Sequence, residues 1–175
     1  FVAFLDSDDL YLPDKLSRQV QLLEDAGRDF ALASGGRTVV DFDTGKFVRR
    51  VCPRASRGRI YPGVCSGELN IGGTPGHLFR RAALEHIGGF DESLANNEDL
   101  DLLIRLAREY PLVSEPEPVF TQRLRGDSLS NLRPEAALRE SLRFLEKLEA
   151  DDPALAGTVV AARREQAYFW AARKL

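Results

Sequence analysis

The sequence predicts an α/β fold with a helical C-terminal extension, and three observations carry that prediction. Short apolar runs alternate with amphipathic helical stretches through the first half of the chain. The first of these runs, Phe1–Leu5, ends directly on the acidic cluster Asp6-Ser7-Asp8-Asp9. Beyond Pro134 only helical periodicity is left.

Each element has its own signal. Phe1–Leu5 reads as a buried central strand that sets Asp6 and Asp8 at its C-terminal tip. Leu12-Pro13-Asp14-Lys15 opens a helix, because proline is tolerated in the first turn and an acid is favoured beside it. Leu16, Val20 and Leu23 form its apolar stripe, and Gly27 stops it. Asp29–Ser34 reads as a second buried strand. Arg37–Phe42 and Lys46–Val51 flank Asp43-Thr44-Gly45 as a hairpin. Residues 49–76 carry Pro53, Pro62, Pro75 and several glycines, so they read as irregular. A helix over Arg80–Ile87 closes on Gly88-Gly89. Asn97 caps the next helix, whose stripe is Leu100, Leu103, Ile104 and Ala107. Pro111–Arg125 holds one or two short strands, the better being Val119–Leu124. Pro134–Glu149 and Pro153–Leu175 are amphipathic helices separated by Asp151-Asp152-Pro153.

Composition narrows the functional classes. The chain has 175 residues, one domain's worth, and 43% are hydrophobic, enough for a real core. Its 24 basic and 27 acidic residues give −3, which argues against a nucleic-acid binder, since tracking phosphates needs a basic face. The longest uncharged stretch, Leu69–Phe79, is short and broken by glycine and proline, so no membrane-spanning helix is expected. Cys52 and Cys65 fit neither a zinc spacing nor a disulfide framework. The chain lacks methionine and opens in mid-strand, so it is expected to be an excised or processed piece of a longer protein.

Two acidic clusters carry the chemistry. Asp6 and Asp8 stand two apart where a loop breaks the strand's alternation, so both can reach one hard cation. Oxygen-only donors suit Mg²⁺ or Mn²⁺, which share their coordination with substrate phosphates. A plain turn and helix N-cap would use the same residues, because aspartate is favoured in both roles. The second cluster is Glu98-Asp99-Leu100-Asp101, which the dipole of a helix N-terminus favours by itself. With the apolar stripe facing the core, Asp99 and Asp101 lie at its edges and Glu98 points away. An edge position can project a carboxylate into a cleft. Gly72-Gly73-Thr74-Pro75-Gly76 is a turn and matches no phosphate-loop pattern. Arg49, Arg50, Arg54, Arg57 and Arg59 form either a solvated loop or a contact for an anionic acceptor or lipid surface. His77 and His86 read as structural.

Two blocks, FVAFLDSDDLYLPDKLSRQVQLLE and HLFRRAALEHIGGFDESLANNEDLDLLIRLA, together resemble the family 2 inverting glycosyltransferases of the GT-A fold. TQRLRGDSLSN resembles the strand and loop that follow, so the resemblance covers Phe1–Asn131. It implies a GT-A-like, Rossmann-type mixed sheet flanked by helices. Residues 1–131 are then a partial catalytic domain without its N-terminal nucleotide-binding strands, and 132–175 a helical extension. It implies transfer of a sugar from a nucleotide-sugar donor to the hydroxyl of a glycan, a lipid-linked molecule or another acceptor, with inversion. Polysaccharide or cell-envelope biosynthesis is the setting that follows. On the motif positions, Asp6 would help hold the nucleoside. Asp8 would coordinate Mg²⁺ or Mn²⁺ with Asp6 beside it, and Asp9 would shape the donor loop. Asp99 would be the general base, with Glu98, Asp101 and Gly73 on the acceptor side. The setting implied is cytoplasmic, extending to peripheral contact with the inner membrane face. Two rival readings remain open at this level. One is a haloacid-dehalogenase-type phosphatase, which also follows a strand with DxD. The other is a non-catalytic fragment or binding module of the same fold.

Overall fold

The structure, a computed structural model, describes residues 1–71, 73–125 and 134–174. Two parallel strands form the spine of a six-stranded mixed sheet: β2 (Leu32–Asp41) and β6 (Leu112–Leu124), in register from Leu32↔Leu112 to Asp41↔Leu124. Short antiparallel strands flank them. Beside the first half of the spine lie β4 (Ser56–Gly58) on β6 and β5 (His77–Phe79) on β2. Beside the second half lie β1 (Leu10–Tyr11) on β6 and β3 (Phe47–Val51) on β2. Helix α1 (Lys15–Ala26) packs against the sheet, where Leu23 meets Ala33, Leu78 and Val113 in a buried cluster. The other helices are α2 (Tyr61–Ser66), α3 (Arg81–His86), α4 (Glu98–Glu109), α5 (Pro134–Asp151) and α6 (Ala161–Ala172). This mixed sheet flanked by helices is the GT-A-like class that the sequence predicts.

The sequence expectations are corrected at several points. Asp29–Ser34 and Arg37–Phe42 are not two strands but the single strand β2, running through Gly35-Gly36. These glycines serve close approach rather than a turn. A Cβ on Gly35 would stand 2.5 Å from Val119 Cγ1, and one on Gly36 would stand 2.8 Å from the Val51 carbonyl. Pro111–Arg125 likewise holds one long strand. Its prolines Pro116 and Pro118 fall where the pairing jumps from Ser34↔Ser114 to Gly36↔Pro118, a bulge, which is where a strand tolerates proline. Gly35→Ala is expected to cost roughly 1–3 kcal/mol by overpacking. Urea denaturation reads this, and an unshifted midpoint would contradict so tight a contact.

A further correction concerns the N-terminal run. Phe1–Leu5 is not a central strand. Val2 alone pairs, exchanging both backbone hydrogen bonds with Phe79 at 2.9 and 2.8 Å, while Phe1 and Leu5 are half exposed. β5 pairs through only three residues with β2, so it offers little ladder for a longer partner.

The described residues fall into two compact units, one within Phe1–Gly89 and Leu102–Arg125, the other within Phe90–Asp101 and residues 134–174. In the second, Phe144, Leu145, Leu148 and Val160 are buried. Lys147 of α5 donates to Asp91 at 2.7 Å and to the buried Asp101 at 2.6 Å, which ties the segment ahead of α4 to the C-terminal helices. The Lys147 ammonium, with Ser93 donating as well, holds the Asp91 carboxyl well below the usual carboxylate range.

Candidate functional site

Asp6–Asp9 form a tight turn, closed by the Asp9 N–H donating to the Asp6 carbonyl at 3.1 Å. The chain then enters β1 along the second half of β6. Arg123 of β6 clamps the turn from two sides. Its backbone N–H donates to Asp9 Oδ1 at 3.0 Å, and its guanidinium Nε donates to the Asp8 carbonyl. The acidic turn therefore sits at the carboxyl ends of the parallel pair, where open α/β sheets bind their ligands. Arg123 and Arg125 lie over the ring of Phe42, just past β2, at 4.9 and 3.9 Å from its centroid.

The three acids differ. Asp6 is exposed, Asp8 is half-buried and Asp9 is buried. Burial raises the Asp9 pKa, the Arg123 N–H opposes that, and the nearby charges of Asp6 and Asp8 add to the rise. The turn thus concentrates negative charge, with Asp9 committed to the clamp. Among the described residues, no three His, Cys, Asp or Glu side chains come together as a metal cage. The donors present are the carboxylates of Asp6 and Asp8. That set suits a hard divalent cation that keeps waters and borrows phosphate oxygens.

Beneath the turn lies a polar layer that the sequence pattern does not reveal. Lys15 is fully buried and donates to Gln19 Oε1 at 2.7 Å and to the His77 carbonyl at 3.1 Å, with its ammonium 4.4 Å from the Tyr11 ring. Gln19 donates to the Gly76 carbonyl at 2.8 Å, and the Tyr11 hydroxyl donates to the Phe4 carbonyl at 2.6 Å. These bonds join both flanks of the acidic turn to α1 and to the Thr74–Gly76 turn. The expected stripe Leu16/Val20/Leu23 is accordingly rotated. Lys15, Gln19 and Leu23 face inward, and Leu16 is 47% exposed. Burial pulls the Lys15 ammonium down to about 8.

His77 is buried, as a structural histidine should be. Burial chiefly, with the charges of Lys15 and Arg37, pulls its pKa down to about 3. Native His77 thus stays neutral where the unfolded chain's imidazole, near its ordinary 6.5, is protonated. The unfolded chain binds more protons in that window, so stability is lost as pH falls from 6.5 toward 3. His77→Leu should flatten that part of the stability–pH curve. An identical slope in the variant would assign the acid sensitivity elsewhere.

Gly73 has φ of 75°, a left-handed conformation that suits glycine, and a Cβ there would lie 3.3 Å from Arg37 Nη1. Gly72 lies outside the described residues. On the second unit, Glu98 is exposed and Asp99 half-buried in the first turn of α4, where Asp99 Oδ1 accepts from the Leu100 N–H at 2.7 Å. Asn97, with φ of 63°, begins the helix by accepting from the Asp101 N–H at 2.9 Å. Its amide Nδ2 is buried without a hydrogen-bond partner. Asn97 also lines a hollow of about 200 Å³ together with Ser141, Phe144, Leu145, Arg163, Gln166 and Ala167. Asp101 is held by Lys147. Lys15, Gln19 and Tyr11 were missed by sequence reasoning. Their only trace was a polar pair four residues apart on a helix, which reads as surface.

Two family models match the chain. One, described as "Glycosyl transferase family 2", covers residues 1–88 and so contains the acidic turn and its supporting layer. The other, "Glycosyltransferase like family 2", covers residues 73–167 and contains Glu98, Asp99 and the hollow beside Asn97. No curated protein matches. Neither family match points to a phosphatase, and the rival drawn from the DxD spacing is set aside. Both acidic clusters fall inside glycosyltransferase matches that each span half of the chain or more, and the chain belongs to glycosyltransferase family 2.

Proposed function

We propose that the protein transfers a sugar from a nucleotide-sugar donor to an acceptor hydroxyl in a single, inverting, metal-dependent displacement. The observation that carries this reading is the acidic turn pinned by Arg123 at the carboxyl ends of β2 and β6. Residues 1–131 serve as the catalytic segment and 132–175 as its helical extension. Asp8, with Asp6 beside it, holds Mg²⁺ or Mn²⁺. When bound, such an ion neutralises the charge that builds on the leaving diphosphate. Asp9 keeps the turn in shape through Arg123, and Arg125 offers a planar guanidinium to a phosphate. Asp99 accepts the acceptor hydroxyl's proton as its oxygen attacks from the face opposite the leaving group. Glu98 and Gly73 belong to the acceptor side. The hollow beside Asn97 adds an unused amide donor there, while Asp101 anchors α5 through Lys147.

The test is nucleoside-diphosphate release from a panel of nucleotide-sugars, with Mn²⁺ or Mg²⁺ and with chelator. Release that depends on both metal and an acceptor supports the reading. Phosphate release from simple monoesters, without sugar transfer, would overturn it.

A further inference from the structure

Helix α6 is attached by a narrow seam, in which Val160 just ahead of it and Ala171 are buried. The rest of its surface is unusual for a water-facing helix. Tyr168, Phe169 and Trp170 are consecutive and are 51%, 65% and 38% exposed. At 100° per residue, three neighbours fan over more than half of the helix circumference, so seating against α5 leaves all three outward. Basic residues follow them. Arg173 and Lys174 stand directly after the helix, whereas Arg164 is engaged by Glu149 at 3.0 Å. Arg173 lies 5.3 Å from the Phe169 ring, so the cation frames the aromatic face.

We infer that the outward face of α6 docks in the interface of an anionic lipid bilayer. Tyrosine and tryptophan pair an apolar body with a polar edge, which places them at headgroup depth, and phenylalanine inserts beside them. The basic residues at the helix end complement anionic headgroups. A 12-residue helix is too short to cross a bilayer, and no described helix is long and apolar enough to do so. It therefore lies in the plane of the interface.

Trp170 is the chain's only tryptophan, so its emission reports this face alone. The 175-residue chain is mixed with vesicles of phosphatidylcholine and of phosphatidylcholine with phosphatidylglycerol in equal parts. With the anionic vesicles, Trp170 emission should shift to the blue, lose its quenching by acrylamide, and the protein should sediment with the lipid. Arg173→Glu with Lys174→Glu should weaken this by about tenfold or more. Tyr168→Ser with Phe169→Ser, which leaves the reporter in place, should abolish the shift. Equal binding to both vesicle types, no spectral change, or a blue shift that grows with protein concentration and needs no lipid would overturn the inference. The last result would assign the face to a second copy of the chain.

Discussion

Asp99→Asn should slow sugar transfer by roughly 10²–10⁴-fold, the usual contribution of a positioned general base. The substitution keeps the shape of the side chain and its ability to accept the Leu100 N–H bond at the start of α4. It removes only the capacity to take a proton. An acceptor hydroxyl attacking the anomeric carbon must lose its proton as the bond forms, so the loss falls on kcat while donor affinity stays at the wild-type value. Initial rates at saturating donor measure the first effect and titration of the donor the second. A variant that keeps most of its rate would move the base to Glu98. Asp101 is the weaker substitute, because its carboxylate is buried against Lys147.

Asp8→Asn should lower transfer by roughly 10²–10³-fold, the scale of losing one preorganised electrostatic partner of a developing charge. The loss should show a signature that Asp99→Asn lacks, namely a shift of the Mn²⁺ concentration needed for half-maximal rate. Asp9→Asn should behave differently again. Its carboxylate is turned to the Arg123 N–H, so the variant should loosen the turn and lower stability more than metal affinity. If Asp8→Asn and Asp9→Asn have the same metal dependence as wild type, the assignment of the turn to the donor fails.

Much of this was legible in the sequence where one residue type answers one physical need. The turn at Asp6–Asp9, the Asp43-Thr44-Gly45 hairpin and the Gly88-Gly89 helix stop are such cases. Asp41 accepting both the Thr44 N–H and hydroxyl shows the hairpin signal at work. The misreadings share a cause. Gly35-Gly36 and Pro116/Pro118 punctuate a chain locally, yet here they serve cross-strand contact and a bulge, which only the partner strand reveals. Lys15 and Gln19 read as solvent-facing because burying an ammonium is costly. The carbonyls of His77 and Gly76, distant in sequence, make that burial tolerable. Phe1–Leu5 looked like a full strand because apolarity reports burial, not the length of the ladder a partner offers.

The acidic turn at the ends of β2 and β6 should hold the donor's diphosphate through a divalent cation. Calorimetric titration of UDP and GDP into the protein, with Mn²⁺ and with chelator, is the decisive measurement. Binding of at least one nucleotide is expected to require Mn²⁺, to weaken about tenfold or more in Asp8→Asn, about 1.4 kcal/mol, and to be unchanged in Asp99→Asn. Nucleotide binding that is equally tight with chelator, or equally tight in Asp8→Asn, would contradict it.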